Sequence, residues 1–222
     1  MTNQKIHSLA LLIGMAAGIV TMSIHPTGID LHATAEAITR VNHINIATHV
    51  LGLASIPVTV LGFFGVSSRL GWKNLPGLSA FIIYCFASIA LMLAAVADGL
   101  IGPSLLQEAL NVDDAQRQMI LMALQYNFQL NQALAKVYVV ASSCAFFLWS
   151  LALIRCGKIE RYLGIAGGMA GACGLIALLS GHVHMDAHGF GLIVLVQAVW
   201  AMLLAFFMLT AKSASKTAAP AG

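Results

Sequence analysis

The chain has 222 residues, of which 59% are hydrophobic and only 9% are charged. A soluble domain carries about 25% charged residues, so this composition excludes a protein that covers itself with a water-facing surface. The net charge of +3 is small and no basic stripe alternates with aromatic residues, which argues against nucleic acid as a partner. We therefore predict an all-α, polytopic transmembrane helix bundle whose main partner is the lipid bilayer.

Six apolar runs follow one another along the chain, and each is close to the 20 or so residues that cross a bilayer as a helix. They cover residues 8–23, 44–66, 78–101, 133–154, 162–180 and 191–209. Because spanning backbone must satisfy its own hydrogen bonds, each run is predicted to be an α-helix. The first run has no convincing signal-peptide cleavage site and is interpreted as a retained span. Pro57 is expected to kink the second helix, and Gly102-Pro103 to end the third.

Small residues repeat along one face of the fifth run. Gly164, Gly168 and Ala172 are spaced at i, i+4 and i+8, and Gly167 and Gly171 repeat that spacing beside them. Small residues let neighbouring helix backbones approach closely. We therefore expect this helix in the middle of the bundle, with a homodimer contact as the alternative.

Basic residues mark the orientation of the bundle. Eight of the eleven fall in alternate connecting segments, which lie on one side if there are six spans: Lys5, Arg69, Lys73, Arg155, Lys158, Arg161, Lys212 and Lys216. Cytoplasmic loops are enriched in Lys and Arg, so both termini are predicted to be cytoplasmic. Residues 1–211 are predicted to form one membrane domain, and the small, polar tail 212–222 to be disordered. The short loops suggest a bacterial inner membrane.

The same topology collects ionisable groups on the outer side. Seven of the eight histidines and seven of the eight acidic residues lie there, and the exceptions are His7 and Glu160. If the spans form one bundle, several of these groups converge at its outer mouth. That mouth is the predicted location of a functional site.

A histidine-rich segment joins the fifth and sixth runs, with the sequence GHVHMDAHG over residues 181–189. His184 and His188 are spaced at i, i+4, so on a helix they share a face and can chelate one metal ion. His182 and Asp186 add two further candidate ligands. The alternative is a polar turn at the membrane interface whose histidines are simply hydrated.

Asp98 lies near the outer end of the third run. Ionisable groups in or near the hydrocarbon are costly to bury and usually functional, so Asp98 is a candidate catalytic residue. The structural alternative is a salt bridge to Lys136 of the fourth run.

Polar stripes mark the outer ends of the second and fourth runs. Asn42, Asn45 and His49 follow i, i+3 and i+7 on one helix face. A similar face of the fourth run comprises Asn127, Asn131, Tyr138 and Ser142. Such faces should turn away from lipid, either to form interhelical hydrogen bonds or to line a pocket.

These positions resemble a motif of the CREST superfamily of membrane hydrolases and receptors. In that family a histidine on an early span, an aspartate on the next and H-x-x-x-H on the last bind zinc and activate water for amide hydrolysis in lipids. The matching positions here are His49, Asp98, and His184 with His188. The chain departs from the family in having six spans rather than seven, and in lacking a clear serine partner near His49.

Residues 151–164, with the sequence LALIRCGKIERYLG, resemble a second group, the bacterial six-span proteins of the DUF4386 type. In that type a span ends in a short basic turn before a glycine-rich span. The resemblance extends to size and span spacing and implies no activity.

Three hypotheses for function stay open from the sequence. The first is a metal-dependent membrane hydrolase acting on a lipid or small-molecule ligand, with zinc held by His184, His188 and either His49 or Asp98, and a remaining carboxylate as general base. The second is a redox protein with a b-type haem between His49 and His188. The third is a non-catalytic membrane sensor or scaffold whose outer histidines titrate near neutral pH.

Overall fold

The computed structural model describes residues 2–27, 34–181 and 187–211, and within these ranges the regular structure is entirely helical. The elements in chain order are α1 (Asn3–Ile24), α2 (Ala35–Leu70), α3 (Leu75–Val96), a π turn (Ala97–Ile101), α4 (Gly102–Ala109), α5 (Asp114–Ile154), α6 (Lys158–Leu179) and α7 (Ala187–Thr210). Six helical stretches are long and apolar enough to cross a membrane, and α3, the π turn and α4 together make one of them. The predicted all-α architecture with six apolar helices is confirmed at this level.

The six long helices form a ring in chain order. Helix α1 packs on α2, α2 on α3, α3 on α5, α5 on α6 and α6 on α7, and α7 returns to α1. The Gln4 side-chain amide donates to the Met208 carbonyl at 2.9 Å, so the first and last helices have their terminal ends side by side. We call this the proximal end of the bundle and the opposite one the distal end. Which side of a membrane each end faces stays a prediction from the basic residues, and the tail 212–222 lies outside the described residues.

Short polar side chains start three of the helices. The side chain of Thr34 accepts from the Ala37 amide at the start of α2. Asn74 and Asp113 do the same for α3 and α5, accepting from amides three residues on at 3.0 and 2.9 Å. These caps satisfy amide groups that have no partner within the helix. They fix where the long helices begin, which the apolar runs alone did not indicate.

Two of the helices are much longer than the apolar runs predicted. Helix α2 has 36 residues and α5 has 41, which correspond to about 54 and 62 Å of helix. The extra turns are distal and carry polar residues, so a search for apolar runs counts only the part that suits lipid. The hydrocarbon core of a bilayer is about 30 Å thick, so both helices are long enough to extend beyond it.

The prediction that Gly102-Pro103 ends the third helix is wrong. The helical path continues through a π turn, in which the Gly102 amide donates to the Ala97 carbonyl five residues back, and then through α4. Proline lacks an amide hydrogen and is tolerated in the first turn of a helix, which is where Pro103 lies in α4. The second helix also continues through Pro57, so that proline does not end it.

The prediction that the glycine-rich helix lies in the middle of the bundle is also wrong. Helix α6 packs mainly against α5 and α7, and its opposite face carries exposed Ile165, Met169 and Ile176. Its glycines serve close approach on one side only. A methyl group at Gly167 would overlap Trp200 and Ser150, and one at Gly171 would lie 2.8 Å from the Ser143 carbonyl. Because its buried glycines are covered by α5 and α7, they are not available to a second copy.

Aromatic side chains fill the proximal half of the bundle. Phe63 stacks on Trp149 with ring centroids 4.5 Å apart and contacts Tyr84 at the same distance. The Trp149 indole donates to the Ser67 hydroxyl at 2.8 Å, and that hydroxyl donates to the Gly77 carbonyl, also at 2.8 Å. This core closes the interior on the proximal side.

Candidate metal centre

Three ionisable side chains from three helices meet at the distal end. His25 follows the last residue of α1, His49 lies in α2, and Asp98 lies in the π turn. Asp98 Oδ2 is 3.2 Å from Nε2 of both histidines, and the two Nε2 atoms are 3.3 Å apart. These three atoms form a nearly equilateral triangle, and we call the three residues the triad.

In both histidines, the Nδ1 atom, which faces away from the triad, is held by a backbone carbonyl. Nδ1 of His25 lies 2.8 Å from the Pro26 oxygen, and Nδ1 of His49 lies 2.9 Å from the Asn45 oxygen. A carbonyl can only accept a hydrogen bond, so each Nδ1 carries the proton and donates. In neutral imidazole the other nitrogen then bears a lone pair. When both rings are neutral, both Nε2 lone pairs therefore point into the triad.

Asparagine side chains hold the π turn that carries Asp98. A π turn replaces regular i to i−4 hydrogen bonds, which leaves neighbouring carbonyls in need of donors. The Asn127 amide donates to the Ala97 carbonyl at 2.7 Å, and the Asn45 amide donates to the Asp98 carbonyl at 3.0 Å. Asn42 supplies a third such bond, to the Pro103 carbonyl at 3.2 Å. The Asp98 backbone is thus fixed by side chains from α2 and α5.

Gly99 explains how His49 comes so close to the π turn. A methyl group at this position would overlap Cβ and Cγ of His49. Only a glycine beside Asp98 lets α2 approach far enough for the imidazole to reach the carboxylate. His49 is accordingly buried, whereas the Asp98 side chain is 35% exposed to solvent.

The electrostatics of the triad call for a cation. With both Nδ1 atoms protonated, three atoms that carry lone pairs converge at 3.2–3.3 Å, and they repel one another unless a proton or a metal ion lies between them. Burial by itself would lower the pKa of His25. The hydrogen bond that the protonated ring donates to Asp98 and the negative charge of that carboxylate together outweigh burial, so the pKa of His25 lies above its ordinary value of 6.5. The position therefore favours positive charge.

The triangle fits zinc in size and in ligand type. Zinc takes histidine nitrogen and carboxylate oxygen at about 2.0–2.1 Å, and at three corners of a tetrahedron these ligand atoms lie about 3.3–3.4 Å apart. The separations of 3.2–3.3 Å come within about 0.2 Å of that spacing. Carbonyl partners on the outer histidine nitrogens are also the usual surroundings of a zinc-bound imidazole. Among the described residues, the triad alone brings together three metal-ligating groups at such distances.

The structure unites some of the candidate residues from the sequence and leaves others apart. His49 and Asp98 lie together, but the salt-bridge partners of Asp98 are histidines rather than Lys136. His188 is exposed at the start of α7 and lies outside the triad. The metal ligands predicted at His182, His184 and Asp186 fall outside the described residues and stay predictions.

Sequence reasoning did not select His25 as a site residue. The available signal was its position directly after the first apolar run, at the same end as His49 and Asp98. Spacing along the chain gave no hint, because 24 and 73 residues separate His25 from its two partners.

A cavity of about 600 Å³ extends from the triad into the bundle. All three triad residues line it, and so do side chains from α1, α2, α3, α4, α5 and α7. The polar stripes serve both roles that the sequence left open. Asn45 and Asn127 make interhelical hydrogen bonds and also line the cavity, where Asn131 and Tyr138 continue the stripe of α5.

Comparison of the chain with protein-family models, curated proteins and solved structures finds no match.

Proposed function

We propose that the protein is a metal-dependent membrane hydrolase whose zinc ion is held by His25, His49 and Asp98. The observation that carries this proposal is the orientation of the two imidazoles. Backbone carbonyls hold both Nδ1 atoms, so in the neutral rings, the form that binds a metal ion, both Nε2 lone pairs are directed at the Asp98 carboxylate at 3.2 Å. A structural ion pair needs one histidine beside the aspartate, whereas three converging acceptors suit a metal ion.

Three protein ligands leave one position of tetrahedral zinc open, as in catalytic rather than structural zinc sites. Zinc in such a site lowers the pKa of bound water to about 7 and supplies hydroxide near neutral pH. The chain's own contribution is to fix the ligands and to place them at the edge of a cavity that can hold a substrate. In the overall reaction, the water oxygen bonds to the carbonyl carbon of the substrate and the bond from that carbon to the leaving nitrogen or oxygen breaks. One water proton ends on the leaving group and the other passes to the medium.

The histidines of the segment that joins α6 to α7 are candidates for a fourth zinc ligand. Phe190 and Val194, in the first turns of α7, line the same cavity as the triad. A fourth ligand from His182, His184 or His188 would turn the open zinc site into a closed one, which is typical of structural zinc. The zinc affinities of the His182→Ala, His184→Ala and His188→Ala variants distinguish these two arrangements. We expect all three to stay within a few-fold of the wild-type value.

The test is the metal content of the full chain purified in detergent and loaded with zinc. We expect one tightly held zinc ion per chain, measured by mass spectrometry of the metal after removal of loose ions. His25→Ala, His49→Ala and Asp98→Asn should each abolish it, because two ligands do not hold zinc tightly. His43→Ala is the matched control, since this histidine also lies in α2 but does not belong to the triad.

Cobalt substitution adds a geometric readout, because the intensity of its visible bands separates tetrahedral from octahedral coordination. A wild-type protein that retains no more zinc than the three triad variants would refute the proposal. Equal loss of zinc in His43→Ala would show that the binding is not specific to the triad.

A further inference from the structure

We infer that the cavity beneath the triad binds the single hydrocarbon chain of an amphiphile, with the polar head of that molecule at the triad. The chain site follows from the shape and lining of the cavity. The placing of a hydrolysable carbonyl group at the triad rests in addition on the proposed zinc chemistry.

The cavity is deep and follows three helices inward. Its lining runs along α1 from His25, just after the helix, to Gly14, along α2 from His49 to Thr59, and along α3 and the π turn from Asp98 to Tyr84. At 1.5 Å per step, the 11, 10 and 14 steps between these residues correspond to about 16, 15 and 21 Å. One leaflet of a bilayer has a hydrocarbon depth of about 15 Å. The cavity is thus about as deep as the chain region of a lipid in its leaflet.

The floor of the cavity is closed. Tyr84 lines its deepest part and packs against Phe63 with ring centroids 4.5 Å apart. Phe63, Phe146 and Trp149 are fully buried behind it. A ligand can therefore extend from the triad to Tyr84 and no farther, which sets an upper limit to the length of its chain.

The wall has few unpaired polar groups to offer a ligand. The Ser55 hydroxyl donates to the Gly52 carbonyl at 2.7 Å, and the Ser88 hydroxyl donates to the Tyr84 carbonyl at 2.8 Å. Both serines thus satisfy their own helices and present mainly carbon to the interior. Apolar side chains supply much of the remaining wall, among them Met15, Ile56, Leu91, Ala94, Ala135 and Val194. Such a wall suits methylene groups and gives a polar ligand little to bind.

The volume suits one chain. A depth of about 15–20 Å and a volume of about 600 Å³ give a mean cross-section of about 30–40 Å². The lining at the distal end includes Leu121, Leu124 and Phe128. This cross-section leaves room for one hydrocarbon chain along the whole depth of the cavity.

One unpartnered hydroxyl marks where the head of the ligand meets its chain. Thr21 lies one helical turn before His25 on α1, lines the cavity, and is buried with no hydrogen-bond partner for its hydroxyl. Its methyl group rests near Gly52, 3.1 Å from where a Cβ there would lie. A ligand carbonyl oxygen beside the triad would give this hydroxyl the acceptor that it lacks.

The test exploits a glycine in the wall. Gly18 lines the cavity and a Cβ placed there would meet nothing within 4 Å, so we expect Gly18→Phe to start without a clash and to place its ring in the cavity. Val20→Phe is the matched control, because Val20 lies on the same helix and is 48% exposed on the outer surface. The probe is a straight-chain fatty acid with a diazirine at its end, cross-linked by light in the full-length protein in nanodiscs. The chain site itself needs no zinc, so this part is done with metal-free protein.

Ile56 lines the cavity and is 7% exposed, so an adduct there reports a chain inside the bundle rather than in the surrounding lipid. We expect adducts at Ile56 in the wild-type protein and in Val20→Phe, and their loss in Gly18→Phe. Adducts confined to exposed residues would overturn the inference, as would equal labelling of Ile56 in both variants.

The head of the ligand is tested separately with zinc-loaded protein and two hydroxamates, which bind zinc through their polar end. Acetohydroxamate should bind wild type and Gly18→Phe equally, whereas a long-chain fatty hydroxamate should bind Gly18→Phe at least about tenfold more weakly. If neither hydroxamate binds but Ile56 is labelled, the zinc proposal fails and the chain site stands. If both bind and Gly18→Phe changes neither, the zinc site stands and the chain site fails.

Discussion

Asn45 contacts two residues of the triad, Asp98 and His49. Its side-chain amide donates to the Asp98 carbonyl at 3.0 Å, and its own backbone carbonyl accepts from Nδ1 of His49 at 2.9 Å. Asn45→Leu removes the first bond and keeps the second. The Asp98 carbonyl then lacks a donor at a part-buried position, and the π turn loses one of its supports. This substitution is therefore a specific test of whether the π turn positions Asp98 for a metal ion.

The expected magnitude has two parts. An unsatisfied buried carbonyl costs about 1–3 kcal/mol of folding stability. For a protein of this size that corresponds to a fall in Tm of about 2–4 °C for each kcal/mol. Removing a group that orients a ligand lowers metal affinity about 10–100-fold. We therefore expect Asn45→Leu to fold, to melt at a lower temperature, and to bind zinc 10- to 100-fold more weakly than wild type.

Asn42→Leu is the matched control. Asn42 lies one turn earlier on α2 and makes the same kind of bond, from its amide to the Pro103 carbonyl at 3.2 Å. It touches neither Asp98 nor His49, so its loss should lower the Tm by a similar amount and change zinc affinity by less than about threefold. Zinc affinity is measured by competition with a chromophoric chelator, and Tm on the metal-free protein. An unchanged zinc affinity in Asn45→Leu, or an equal fall in both variants, would refute the positioning role of the π turn.

Three further outcomes follow from the structure. Gly99→Ala should lower zinc affinity more than Asn45→Leu does, because its methyl group would overlap the His49 imidazole; chelator competition measures this, and a wild-type affinity would contradict the close approach of α2. Ser67→Ala should lower the Tm without changing zinc content, because it removes the acceptor of the Trp149 indole hydrogen bond, which lies far from the triad. Leaving a buried donor unsatisfied costs about 1–3 kcal/mol of folding stability. Loss of zinc in this variant would instead link the proximal core to the metal centre. The purified protein should show no Soret band, because Nε2 of His49 faces Asp98 and His25 rather than an open haem pocket; a band abolished by both His49→Ala and His188→Ala would restore the haem hypothesis.

The parts of the fold that depend on lipid were predictable from the sequence. Apolar runs of about 20 residues must be helices in a bilayer, whatever their neighbours are. The stripe of Asn42, Asn45 and His49 was predictable for the same reason, since amides and imidazoles at helical spacing have to turn away from hydrocarbon. All three are buried against the π turn or the cavity. The distal extensions of α2 and α5 were not predictable in this way, because they are polar and their helical state depends on capping and on packing against α4.

The triad itself was only half predictable. His49 and Asp98 each stand out, because one lies on a polar stripe and the other is an acid at the end of an apolar run. His25 does not stand out in this way, since a histidine just beyond a helix end is usually only hydrated and has no functional role. Its role depends on how closely α1 approaches α2, which is set by Gly14 and Gly62, where added methyl groups would overlap Thr59 and Leu11. Such contacts between helices have no signature in local hydropathy.

The π turn is the strongest indication that this end of the bundle is built for a purpose other than stability. Irregular backbone in a membrane protein is tolerated only where other groups satisfy it or where it lines a cavity, and here both hold. In a regular α-helix, five residues turn through 500°, so Asp98 and Pro103 would lie about 140° apart around the axis. The wider π turn brings them towards the same side, and both line the cavity. A regular helix without a proline at this point would need none of the asparagine bonds, so the chain maintains a more demanding backbone whose consequence is a carboxylate aimed at two imidazoles.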